Sequence, residues 1–102
     1  MSDIASLHRS LVERVLEGEG RASHEIRRAA FDNVGLAEPV RGFVEKVAHG
    51  ARTVTDADID TLRNASLSED QIYEIVVCAA IGQATRQYQN ALAALSSATG
   101  GD

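Results

Sequence analysis

From Ser68 to Leu95 the chain runs through twenty-eight residues with no proline and a single glycine, Gly82. Ser68 is a helix cap, and Gln71 three residues later is its reciprocal partner. Leu67 before the cap and Ile72 at the fourth helical position form a hydrophobic staple, and Glu69 and Asp70 suit the positive end of the helix dipole. The pattern predicts one helix of about 40 Å in a chain of only 102 residues. Any fold must be built around it. At about 100° per residue its residues divide into three stripes. Ile72, Ile75, Val76 and Ala79 share one face. Val77, Ile81, Ala84, Tyr88, Ala91 and Leu95 share a second. Gln71, Glu74, Cys78, Gly82, Thr85 and Gln89 form a third, the least apolar. Two apolar faces predict a first half buried nearly all round. Further along, Gln83, Arg86 and Asn90 replace the apolar residues of the first stripe, facing either solvent or a polar contact at a subunit boundary.

Four shorter helices precede it. Ser2 or Asp3 caps a first, with Ile4, Leu7, Leu11 and Val15 on its face, Val12 and Leu16 beside them, and Gly18 and Gly20 as its stop. Ser23 caps a second through Ile26, Ala29, Ala30 and Phe31, ending at Gly35. A third has Pro39 at its first position, Val40, Phe43, Val44 and Val47 at i, i+3, i+4 and i+7, and Gly50 as terminator. Thr55 with Asp58 makes a capping-box start for a fourth that carries Ile59 and Leu62. EGEGRAS reads as a polar hinge and SSATGGD as a frayed tail. Strand-like alternation is missing. The expectation is a single all-α domain over residues 1–102: a compact bundle of about five helices with a long central C-terminal helix.

Composition narrows the function classes. The net charge is −5 and no basic stripe occurs; Arg27 and Arg28 read as a solvated pair. Nucleic-acid binding, which needs Lys and Arg to displace phosphate counterions, is not expected. One cysteine cannot form an internal disulfide, no signal-peptide core or membrane-length apolar run is present, and Asp3, Glu13 and Glu17 do not suit a transit peptide. These point to a cytoplasmic protein without a membrane association.

Candidate chemistry is sparse. A thiol becomes reactive beside a cation, a helix N-terminus or a second cysteine. Cys78 has Ile75 and Ile81 at the third positions on either side and Glu74 one turn back. It is either a small core residue or, less in keeping with its neighbours, a lone redox thiol. Glu45 and His49, at i and i+4, are a solvated pair or one that shares a proton or metal. His8 and His24 stand alone, and Tyr73 and Tyr88 sit at core spacing. No zinc set and no phosphate loop occurs, so no metal or cofactor is expected.

VTDADIDTLRNASLSEDQIYEIVVCAAIGQATRQYQNAL, with the lead-in RRAAFDNVGLAEPVRGFVEKVA, resembles the alkylhydroperoxidase D-like, or carboxymuconolactone decarboxylase, superfamily over about residues 24–95. The resemblance implies an all-helical fold and obligate homo-oligomers. It also implies, for redox members, a Glu and a Cys-X-X-Cys followed four residues later by His. Here the partner cysteine is absent and position 82 is Gly. The leading expectation is therefore a non-catalytic or degenerate member acting as an oligomeric structural or accessory module, partnered by itself or by another protein. The alternatives are an enzyme working through Cys78 or through Glu45 and His49, and a small-molecule module at a subunit groove lined by Gln83 and Arg86.

Overall fold

The computed structural model describes residues 2–98, with side chains from residue 5 onward. Residues 99–102 of the tail lie outside the described residues, as do the side chains of Ser2, Asp3 and Ile4, and with them the expected first cap. Five α-helices follow one another: α1 (Ser2–Glu17), α2 (His24–Asp32), α3 (Val40–Gly50), α4 (Asp56–Asn64) and α5 (Glu69–Ala98), with a 3-10 turn at Ala51–Thr53 after α3. There is no strand among the described residues. The all-α bundle and the long final helix are as the sequence predicts. No helix of the described residues is long and apolar enough to cross a membrane.

The caps explain where the short helices begin. Ser23 Oγ accepts the Ile26 amide hydrogen at 3.1 Å. Thr55 and Asp58 close a complete capping box, and Lys46 reaches the Asp58 carboxylate at 2.9 Å, tying α3 to the start of α4. Ser68 and Gln71 close a second box at 3.1 and 2.8 Å. Three boundaries differ from expectation, one being the end of α5, which continues to Ala98 through Ser96 and Ser97 of the expected frayed tail. α2 stops at Asn33, whose left-handed backbone (φ 55°, ψ 44°) turns its amide back onto the Ala29 and Ala30 carbonyls, two residues before Gly35. Asn tolerates that conformation, so no glycine is required there. Pro39 occupies the N-cap of α3 instead of its first turn, and Glu38 supplies an acceptor for the Gly42 amide at 3.0 Å.

The core is aliphatic with two phenylalanines. Leu62, Ile75, Val44 and Cys78 are the largest fully buried side chains, packed with Leu16, Ala30, Phe31, Val40, Phe43, Ile72 and Ala79. α2 and α5 form the most extensive pairing. They meet at Gly82, where a Cβ would stand 1.9 Å from the Phe31 carbonyl oxygen. This contact decides which side of α5 faces inward. Cys78, Gly82 and Thr85 are buried, although theirs is the stripe the sequence marks as least apolar. Val77 and Ile81 are only half-buried, and Tyr88 and Leu95 are exposed. The first half of α5 is thus covered on two stripes and only half-covered on the Val77 stripe, because small residues admit neighbouring helices where large ones hold them off.

α5 outruns the body it packs against. Residues 87–98 are all exposed, and the molecule measures 53 × 28 × 22 Å with a radius of gyration of 15.5 Å. A compact chain of this length has about 13 Å.

Gly82→Ala should destabilise the fold by more than ~2 kcal/mol, because backbone must move to admit the methyl group. Gly42→Ala, which meets only the end of the flexible Glu38 side chain at 3.1 Å, should be neutral or stabilising by up to ~1 kcal/mol through helix propensity. Urea denaturation of the two variants measures the contrast.

Candidate functional site

Two features of α5 are candidates: a polar knot at its N-terminal half and an apolar face along its C-terminal half.

The knot is organised by Arg27, which is 4% exposed rather than solvated. α2 places Arg27 on the same side as Ala30 and Phe31, its i+3 and i+4 neighbours. Its Nη1 donates to the Gly18 carbonyl at 2.7 Å and the Val15 carbonyl at 3.4 Å, and its Nε to the Ala22 carbonyl at 3.1 Å. The first two carbonyls are at the C-terminal end of α1, where a cation also complements the helix dipole, and the third is in the turn before α2. Across the turn, Glu74 of α5 accepts the Arg21 and Ala22 amide hydrogens at 2.9 and 2.8 Å. The EGEGRAS segment is therefore a pinned turn, not a loose hinge. Desolvation pushes the Glu74 carboxyl upward. The two backbone donors, and then the charges of Arg27 and Arg21, outweigh it and hold it below the ordinary glutamate value.

Cys78 lies against this knot. It is 1% exposed, and its thiol donates to the Val15 carbonyl at 3.3 Å. Burial raises its pKa; Arg27 pulls the other way and Glu74 adds to the rise. An inaccessible thiol held in its protonated form has the character of a packed small residue.

The remaining residues singled out by sequence are scattered. Arg86 is half-buried and donates to the Phe31 carbonyl oxygen and, at 2.9 Å, to Gln83 Oε1. It thus serves the C-terminal end of α2, again a favourable place for a cation. Asn90 lies a turn further out on an exposed stretch of α5. Glu45 and His49 do meet, at 3.6 Å on the exposed side of α3, and Asn33 donates to the same Glu45 oxygen at 3.4 Å. They are far from Cys78 in chemistry and in packing: one pair is solvated, the other buried. Among the described residues, no cluster of three or more His, Cys, Asp or Glu is placed to hold a metal ion, and every buried side-chain nitrogen or oxygen has a hydrogen-bond partner.

The apolar face is the more unusual feature. Among the described residues, six of the seven exposed large apolar side chains are on α1 and α5: Leu7, Leu11, Tyr73, Tyr88, Leu92 and Leu95, at 42–70% exposure. Tyr73 and Tyr88 are consequently surface residues, despite their core-like spacing. α1 lies beside α5, held by the His8 Nε2 to Thr85 Oγ1 contact at 3.0 Å and by the His8 ring 5.9 Å from the Tyr88 ring. Leu7 and Leu11 therefore flank the stripe of Val77, Ile81, Ala84, Tyr88 and Leu95. Between residues 75 and 98 the only charged residue is Arg86, and it is turned toward α2. Exposed large apolar side chains gathered on two adjacent helices mark a contact site.

Glu74→Ala should lower stability by about 1–3 kcal/mol, since two amides of a fixed turn lose a charged acceptor. The wild-type contribution has a defined pH sign. The folded-state pKa of Glu74 is depressed, so its contribution is present above the unfolded value near ~4.3 and disappears as pH falls through the lower folded value. The stability gap between wild type and Glu74→Ala should therefore narrow on acidification, as read from urea midpoints at successive pH values.

Compared with protein-family models, with curated proteins and with solved structures, the chain gives no match in any of the three.

Proposed function

We propose that this chain is a non-catalytic, self-associating helical module, a structural or accessory protein of the cytoplasm and a degenerate member of the alkylhydroperoxidase D-like type that its sequence resembles. One observation carries the reading: the large apolar side chains of α1 and α5 that are left 42–70% exposed, on an α5 stripe without charge. Residues 87–98 are all exposed, a helical stretch of this short length is marginal in water by itself, and most helical stability comes from packing an apolar face. The far half of α5 gains that packing when another helix covers it. The alternative readings have less support. A thiol enzyme needs an accessible thiolate, and Cys78 is buried and protonated. A groove lined by Gln83 and Arg86 has its cation already bonded to Phe31 and Gln83.

Sedimentation at micromolar concentrations tests the reading. The expected result is reversible, concentration-dependent association of wild-type chain; a clean monomer at every concentration refutes it. The chemistry is tested separately. Cys78 in the native protein should react with a thiol reagent at least ~10-fold more slowly than after unfolding. Rapid native reaction, together with peroxide turnover that Cys78→Ser abolishes, would instead establish the thiol enzyme.

A further inference from the structure

We infer that the apolar face of α5 is covered by the α5 helix of a second copy, packed antiparallel about a two-fold axis level with Arg86. The inference rests on the self-association just proposed and adds its partner helix, direction and register.

The spacing of the stripe is the first argument. Val77, Ile81, Ala84, Tyr88, Ala91 and Leu95 step along α5 by 4, 3, 4, 3 and 4 residues. That alternation is the a/d seam of a coiled coil, narrower than the stripe a helix presents to a globular core. It therefore fits another long helix. Within this chain the neighbour of α5 on that side is α1, which leaves Tyr88 and Leu95 at 48% and 61% exposure.

Self-complementarity is the second. In an isologous contact, residue i meets residue j and j meets i. With antiparallel helices and the axis level with Arg86, Tyr88 falls opposite the partner subunit's Ala84. Ile81 falls opposite the partner subunit's Ala91. Leu95 falls opposite the partner subunit's Val77. The two aliphatic residues Val and Leu close the ends, and every other pair sets a large side chain on an alanine. Moving the axis by two residues either way stacks Tyr88 on Tyr88 or leaves a gap at Ala84 on Ala84. Alternating large and small residues across facing positions is how two helices interdigitate at close range.

Charge and area are the third. Two chains of net charge −5 repel unless they meet through neutral surface. This seam is neutral along its length, and the charges beside its Val77 end, Arg14, Glu19, Arg27 and Glu74, include both signs. Residues 77–98 form a strip ~33 Å long; with α1 alongside at a helix spacing of ~8–10 Å, it offers on the order of 600 Å² per copy. Stable interfaces take ~800 Å² per partner, so the pairing belongs to the lower end of that class and should be reversible.

The test uses exposed positions, so that the monomer fold is untouched. Leu92→Glu should weaken the dimer at least ~10-fold in sedimentation equilibrium, with unchanged circular dichroism of the bundle. Ala80→Lys alone should weaken it as well. The double variant Ala80→Lys/Ala94→Glu should recover most of the affinity that Ala80→Lys loses, since the antiparallel register puts exposed Ala80 beside the partner subunit's exposed Ala94 on the same flank of the seam. Within one chain these positions are fourteen residues apart and cannot pair. Recovery that is lost in high salt supports the register. A wild-type dimer that Leu92→Glu leaves intact overturns the inference while the self-association reading stands. Loss in Ala80→Lys without recovery in the double variant overturns the register. A monomeric wild type overturns both readings together.

Discussion

The approach of α2 to α5 at Gly82 governs the rest of the structure. With a Cβ position only 1.9 Å from the Phe31 carbonyl, no other residue allows this crossing without displacing backbone. Arg86 then donates to the same carbonyl from one turn further along α5. A glycine that lets the backbone in and an arginine that satisfies the exposed helix end thus act on one atom. Once α2 is seated there, the side of α5 carrying Cys78, Gly82 and Thr85 is the inner one. The stripe from Val77 to Leu95 is then the outer one.

A second constraint places α1. The carbonyls that end α1 would be left without partners in the tight turn to α2, and Arg27 takes three of the carbonyls in this region. Glu74 takes the amides of the same turn. The pair fastens one end of α1 to α5, and His8 on Thr85 fastens the other. α1 therefore runs along the edge of the outer stripe without covering it, which widens the apolar surface instead of closing it. The buried arginine and its nearby thiol look at first like a reactive pair. Their hydrogen bonds are all directed to backbone, and the work they do is to hold a turn.

Much of this architecture is legible in the residues. The caps at Ser23, Thr55 and Ser68 depend on neighbours within four positions, so local chemistry is enough to find them. The three stripes of α5 are equally legible, because periodicity follows from helix geometry. Which stripe is covered is not, since hydrophobicity ranks the Val77 stripe above the Cys78 stripe while packing ranks them the other way. The deciding property is size: Gly82, Cys78 and Thr85 admit a neighbouring backbone, and Val77, Ile81 and Tyr88 do not. Arg27 was visible in principle, since it shares the buried side of α2 with Ala30 and Phe31, yet its charge argues for solvent until the carbonyls of a distant turn are known. For Cys78 the sequence favours a packed residue, and its burial agrees. Glu45 and His49 are brought together by α3, and what joins them from outside it is the side-chain amide of Asn33.

If the outer stripe of α5 is a contact surface for a second copy, the far half of the helix is stabilised there and not by its own chain. Amide hydrogen exchange across a dilution series reads this out. Protection of residues 77–98 should rise with protein concentration, while protection in α2 and α3 stays constant. Exchange in residues 87–98 that is rapid and identical at every concentration would contradict it.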